Sequence, residues 1–221
     1  MPFEYQFPDP GTADSDGLLA VGGDLSIESL LTAYSQGIFP WFSEDSPILW
    51  WSPDPRLVLF PKKFKVSESL KQRIRSRHFT IKTDSHFEDV IKACASAKRT
   101  GQDGTWITDD MISAYVKLHE AGYAHSFEAW VDGKLAGGLY GVSLGRAFFG
   151  ESMFFEMRDA SKVAFHALVE WSVKHNFMFI DAQQSTSHLK SLGAEEINRI
   201  TFLKLLKKAL QDETIKGPWG V

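Results

Sequence analysis

The chain has 221 residues, enough for one large domain or two small ones with an ample core. Its formal net charge of −4 argues against a uniformly basic nucleic-acid binder, and its single cysteine, Cys94, excludes an intrachain disulfide and a thiolate metal cluster. No apolar run approaches the 18 residues of a membrane span, and Met1 to Gln6 has neither the basic nor the apolar region of a signal peptide, so a cytoplasmic protein without a membrane partner is expected. Apolar content is ordinary for a globular chain, but seven Trp and seventeen Phe are many. Some of these rings must be core; a surplus can also wall a planar ligand such as a base.

The first part of the chain is rich in loops: Phe7-Pro8-Asp9-Pro10-Gly11, then Gly22-Gly23-Asp24. Ser26 can cap a short helix through Tyr34, with Gly37 as its stop. In the stretches Phe39 to Phe42 and Leu49 to Arg56 lie three Trp and three Pro, which predict a rigid aromatic wall. Leu57 to Phe60 reads as a strand, and a domain boundary is placed near Pro61, giving an N-terminal domain of residues 1–61 and a second of 62–221. Phe79 to Lys82 reads as a strand. Ser85-His86-Phe87-Glu88 has the pattern of a capping box opening a helix to about Ala97. After the turn Thr100 to Gly104, Thr108 can cap a helix to Glu120, stopped by Gly122. Hairpin strands follow: Ser126 to Val131, the turn Asp132-Gly133, Lys134 to Gly141, then Arg146 to Phe149. Asp159 is placed to cap a helix to about His175, and Phe177 to Asp181 reads as a strand. Thr201 starts a last helix to about Leu210, and Gly217-Pro218-Trp219-Gly220 is expected to fray.

From Lys62 to Arg77 there are seven basic residues and one acid, a net +6 that leaves −10 for the rest of the chain. Such a patch on an acidic protein is a partner signal, though a charge run is often only a solvated helix face. Leu70 and Ile74 would turn inward, with Lys71 and Arg75 on one flank and Arg73 and Arg77 on the other.

The densest chemistry lies further on. Gly150-Glu151-Ser152-Met153-Phe154 is followed by a strand carrying Asp181 and Gln183 after Phe177-Met178-Phe179-Ile180. Alternation sends Asp181 and Gln183 to the same strand face. A buried polar pair must be satisfied, so this is either a structural turn network or an active site at a strand end.

The element order predicts an α+β fold with a mixed, mostly antiparallel sheet. It resembles the GNAT acyltransferase fold, in which two adjacent parallel strands splay to admit an acyl donor. Seven motifs narrow the resemblance: Gly17-Leu18-Leu19-Ala20-Val21-Gly22-Gly23-Asp24-Leu25, Gly37-Ile38-Phe39-Pro40-Trp41-Phe42, Trp50-Trp51-Ser52-Pro53, Thr105-Trp106-Ile107, Ala124-His125-Ser126, Gly150-Glu151-Ser152-Met153-Phe154 and Asp181-Ala182-Gln183. Together and in this order they resemble the leucyl/phenylalanyl-tRNA–protein transferase family over nearly the whole chain up to Ala194. The resemblance implies transfer of Leu or Phe, with Met a third candidate donor, from aminoacyl-tRNA to proteins with N-terminal Lys or Arg. The products enter the bacterial N-degron pathway, and a monomer is the expected state.

The chemistry is consistent with the residues. An α-amine attacks an ester that is already activated, so neither metal nor redox cofactor is needed. Positioning, a neutral amine and donors for a tetrahedral oxyanion are needed. By resemblance Asp181, Gln183 and Glu151 carry the catalysis. Gln183 is no base and reads as a positioner; Glu151 can hold either the cationic acceptor residue or the terminal ribose. By resemblance again, Trp41, Trp106 and Tyr115 meet the terminal adenosine, and Leu139, Phe148, Met153, Phe165, Leu168 and Ile180 form the Leu/Phe pocket. Lys65, Lys71, Arg73, Arg75 and Arg77 are the candidate tRNA contacts. On composition alone, any of these aromatic or aliphatic residues would be assigned to core.

Two other functions are weighed. An acyl-CoA-dependent N-acetyltransferase needs a Gly-rich loop at a helix N-terminus for pyrophosphate. The stretch Gly150 to Glu156 instead holds two carboxylates and one glycine. A non-catalytic RNA-binding module accounts for the basic segment but not for Asp181, Gln183 and Glu151. His119 and His125 lack a metal-ligand motif, and Ser152 lacks the nucleophile elbow of a hydrolase.

Overall fold

In the computed structural model, residues 6–97 and 105–220 are described. The turn read at Thr100 to Gly104 lies outside them. The elements in chain order are β1 (Leu18–Val21), α1 (Ile27–Ser35), β2 (Phe39–Pro40), β3 (Leu49–Trp51), β4 (Arg56–Leu59), α2 (Glu68–Arg75), β5 (Thr80–Thr83), α3 (Phe87–Ser96), α4 (Asp109–Glu120), β6 (Ala124–Val131), β7 (Lys134–Leu144), β8 (Ala147–Phe155), α5 (Ala160–Lys174), β9 (Phe179–Gln183), α6 (Ser187–Ser191), β10 (Glu195–Ile197) and α7 (Arg199–Ala209). The fold is α+β with a mostly antiparallel sheet. Among the described residues no helix is long and apolar enough to cross a membrane.

A small antiparallel sheet has the order β1-β3-β2. The large one has the order β10-β4-β9-β8-β7-β6-β5, and only β8 and β9 run parallel. Their pairing spans Ala147↔Phe179 to Phe149↔Asp181 and stops there. Strand β4, on the N-terminal side of Pro61, pairs with β9 and β10 of the large sheet.

Helices cover both faces of this sheet, which explains its long apolar runs. Phe149, Phe179 and Val58 point into one core with α1, α3, α4 and α7; Phe148, Ile180 and Leu57, their immediate neighbours, point into the other with α2 and α5. The alternation expected of strands therefore fills two cores rather than one core and a wet face.

Ser26 and Thr108 cap α1 and α4 as their positions predict, accepting the backbone N–H of Ser29 and Met111. The Asp132-Gly133 turn has positive φ at both residues, 49° and 74°, as a type I′ hairpin requires. Elsewhere side chains find stronger partners. Ser85 Oγ donates to Glu128, and α3 begins after His86 without a side-chain cap. Asp159 adopts φ 71° before α5 and turns its carboxylate to Lys162 and Arg73 instead of capping. Helix α7 starts two residues before Thr201, capped by Asn198. Trp219 does not fray: it is 4% exposed.

Two bulges break the sheet where its polar residues lie. Gly141↔Gly150 and Tyr140↔Ser152 leave Glu151 as an extra residue on β8. Val58↔Asp181 and Leu57↔Gln183 leave Ala182 extra on β9. A bulge re-aims the side chains next to it. Opposite Glu151, Gly141 has no room for a side chain: a Cβ there would lie 2.2 Å from the Phe149 carbonyl oxygen and 2.6 Å from the Phe148 ring. Gly141→Ala is therefore expected to cost about 1–3 kcal/mol in urea denaturation.

Candidate active site

A cavity of about 540 Å³ opens where β8 and β9 cease to pair. Its walls come from both sides of the sheet. Phe39, Trp41, Trp106 and Tyr140 belong to the core of α1, α3, α4 and α7. Leu139, Met153, Phe165, Leu168 and Ile180 belong to the core of α5. Glu151, Asp181 and Gln183 line the cavity between them.

Arg56 organises the polar group. Its Nε donates to Asp181 Oδ1 at 2.9 Å and its Nη2 to Oδ2 at 2.7 Å. Nη1 donates to the Gly37 carbonyl, and the guanidinium lies between the rings of Phe39 and Phe202. Arg56 and Asp181 are both fully buried. Asp181 Oδ1 also accepts the backbone N–H of Gln183 at 2.8 Å. Gln183 takes φ 59°, a left-handed conformation that this bond helps to hold. Asp181 and Gln183 do meet, but through the bulge at Ala182 and not through plain alternation.

From there Gln183 Nε2 donates to Glu151 Oε1 at 2.7 Å. Tyr34 donates to the same oxygen at 2.7 Å and Tyr115 to Oε2 at 3.2 Å; the two phenols also meet each other. Burial pushes the Glu151 carboxyl up to about 7, against the pull of hydrogen bonds from Tyr34, Gln183 and Tyr115. Burial and the Glu151 charge raise both phenols well above their ordinary value, so both stay protonated. When Glu151 is ionised, two phenolic protons must serve three hydrogen bonds among the carboxylate and the two phenols; a proton on Glu151 completes the set.

Tyr115, expected at a bound base, stands behind Glu151 and outside the cavity wall. Phe148 lies one layer back, against Trp219. Trp41 and Trp106 line the cavity, and Trp41 is fixed by the edge of Trp51, whose Nε1 donates to the Trp41 carbonyl. The sequence pattern did not single out Arg56, Tyr34, Phe39 and Tyr140, nor Thr186, His188 and Leu189 on the rim around α6. A lone Arg opening the apolar run Leu57 to Phe60 was the available signal for Arg56, since a buried cation requires a carboxylate. His119 Nδ1 meets the Ala124 carbonyl and His125 Nδ1 the Asp84 carboxylate.

The basic segment forms α2 and its flanks. Lys71 pairs with Glu68, and Arg73 approaches Asp159 at 3.9 Å. Lys65, Arg75 and Arg77 are exposed and make no ion pair among the described residues.

A family model described as Leucyl/phenylalanyl-tRNA protein transferase matches residues 58–207, and a model of its N-terminal domain matches residues 23–54. The chain is 58% identical over 215 residues to the leucyl/phenylalanyl-tRNA–protein transferase of Desulfatibacillum aliphaticivorans, covering 97% of this chain and 92% of that one. It is 59% identical over 221 residues to the protein of the same name from Anaeromyxobacter sp. (strain Fw109-5), covering 100% of this chain and 94% of that one. Among solved structures, L-PGS from Bacillus licheniformis is similar at 10% identity with a TM-score of 0.40, over 73% of this chain and 52% of that one.

The ion pair generates a prediction about stability. Asp181→Ala strands a buried guanidinium and is expected to cost about 3–5 kcal/mol in urea denaturation. The double variant Arg56→Met/Asp181→Leu removes both charges and is expected to recover most of that deficit.

Proposed function

The chain belongs to the leucyl/phenylalanyl-tRNA–protein transferase family, and from that premise we propose how its residues divide the work. It is an aminoacyltransferase that moves an aminoacyl group from tRNA to a protein N-terminus. We propose that the donors are leucyl- and phenylalanyl-tRNA, the acceptors proteins with N-terminal Lys or Arg, and the outcome their marking for N-degron degradation in the cytoplasm by a monomeric enzyme.

In this reading the donor's terminal adenosine stacks between Trp41 and Trp106, worth roughly 1–3 kcal/mol per base. Its aminoacyl side chain lies against Leu139, Met153, Phe165, Leu168 and Ile180. The ester carbonyl sits between Glu151 and Gln183. Glu151 Oε1 already accepts two hydrogen bonds and Oε2 one, which leaves Oε2 an acceptor site among the described residues. That site takes a proton from the acceptor's α-ammonium. The neutral amine attacks the carbonyl carbon, and the second N–H of Gln183 donates to the oxyanion. As the C–O bond breaks, the proton still carried by the attacking nitrogen passes to the leaving ribose oxygen, the amide is formed, and Glu151 releases its own proton to solvent. Asp181 and Tyr115 are positioning residues here: Asp181 holds the Gln183 backbone, and Tyr115 holds Glu151.

One observation carries this assignment. Among the described residues, Glu151 is the carboxylate of the cavity wall without a cationic partner, and its proton is exchangeable near neutrality. Asp181 has both oxygens engaged by Arg56, and Oδ1 also by the Gln183 N–H, which suits it to positioning.

Incubation with radiolabelled leucyl-tRNA and a protein with N-terminal Arg is expected to leave label in acid-insoluble, RNase-resistant material. Glu151→Gln is expected to lower kcat by about 10²-fold or more. Wild-type kcat/KM is expected to fall below about pH 7 as Glu151 takes up a proton. In Glu151→Gln that limb is expected to move to about pH 8, where the acceptor amine itself titrates. An unmoved limb would assign the base elsewhere.

The surface of α2 is proposed to meet the tRNA phosphates. Neutralising Lys65, Arg75 and Arg77 is expected to raise KM for aminoacyl-tRNA. It should also flatten the salt dependence by roughly 0.7–0.9 in log–log slope for each phosphate that is no longer neutralised. Transfer from a minimal aminoacyl-adenosine donor is expected to be unchanged.

A further inference from the structure

We propose that Trp219 is a positioning residue for the apolar end of the cavity, setting how far back the wall behind the donor side chain stands, and with it the balance between leucyl and phenylalanyl donors. The proposal rests on reading that wall as the donor's side-chain pocket.

Trp219 follows α7 in a Gly/Pro-containing segment with no secondary structure of its own, yet its ring is held on every side. The indole stacks on His125 at 3.5 Å between centroids and 9° between planes, and on Trp171 at 3.7 Å and 15°. Its backbone N–H donates to Asp84 Oδ2 at 2.6 Å, and its Nε1 to the Ile215 carbonyl. The same Asp84 carboxylate meets His125 Nδ1 at 2.8 Å and accepts the Ser126 N–H at 2.9 Å. One buried carboxylate thus ties the segment to β6.

Three of the rings that Trp219 touches stand directly behind the cavity wall. Phe127, 6.3 Å away, faces Leu139 across the β6–β7 pair. Phe148, 6.1 Å away, faces Ile180 across the β8–β9 pair. Trp171 follows Leu168 by one turn of α5. Leu139, Ile180 and Leu168 are cavity-lining residues on three different elements. Directly opposed residues share a sheet face, and residues three apart share a helix face, so each push is transmitted through a single layer of side chains. A close-packed interior transmits such displacements instead of absorbing them. A residue serving the core alone would need no such convergence on one cavity.

Shortening the ring vacates space behind Phe127, Phe148 and Trp171. These settle backward, the wall retreats, and the larger donor gains. The test measures kcat/KM for leucyl and phenylalanyl donors with one acceptor protein, for wild type, Trp219→Phe, Trp219→Leu and Leu168→Ala. Circular dichroism establishes which variants are folded. The phenylalanyl-to-leucyl ratio is expected to rise about threefold in Trp219→Phe and on the order of tenfold in Trp219→Leu. If Trp219→Leu does not fold, Trp219→Phe decides by the same ratio. An equal decline on both donors, or an unchanged ratio in a folded Trp219 variant while Leu168→Ala shifts it, overturns the proposal and leaves the pocket reading standing. An unchanged ratio in all three variants overturns both.

Discussion

The ion pair between Arg56 and Asp181 is the constraint on which the site depends. A pair this deeply buried is not in itself a source of stability, since removing both charges from water costs as much as their attraction returns. Its value here is positional. Arg56 orients both oxygens of Asp181; Asp181 receives the Gln183 N–H; and that bond holds the left-handed turn from which Gln183 reaches Glu151. Each link fixes the next, from a strand of the large sheet to the edge of the cavity.

The same arrangement gives two carboxylates of one cavity opposite characters. Asp181 is compensated by a guanidinium that engages both of its oxygens. Glu151, a strand away, has neutral donors around it among the described residues, and burial lifts its proton affinity. Separating two acids by environment rather than by residue type is a general way to obtain both a fixed charge and a mobile proton. The bulge at Glu151 serves the same end, because an unbulged β8 would not carry an extra residue into the gap beside β9.

Part of this is legible in the amino-acid sequence. Asp181 and Gln183 stand out as polar residues at the end of an apolar strand, and Trp41 and Trp106 as rings in loop contexts; Glu151 stands out by its motif, but it lies within a strand that runs to Phe155 and not, as the pattern predicts, to Phe149. What could not be read depended on partners far apart in sequence. Arg56 and Asp181 are 125 positions apart, and Tyr34 meets Glu151 across 117. Ser85 and Asp159 have the residue types of helix caps, but Glu128 in one case and Lys162 and Arg73 in the other compete for their side chains. Trp219 sits among glycine and proline, a composition that predicts disorder, and only the stack of His125 and Trp171 explains its burial. Bulges leave no local mark, which is why plain alternation described β9 incompletely.

The guanidinium of Arg56 is held by the Gly37 carbonyl, by a carboxylate of β9, and between a ring of β2 and a ring of α7. These groups belong to the small sheet, the large sheet and the last helix. No one of them can leave without exposing a desolvated charge to the other two. One buried charge thus joins the two sheets, and a chain severed between β3 and β4 is expected to yield fragments that must reassociate to become native, not modules that can be grafted one by one onto other proteins.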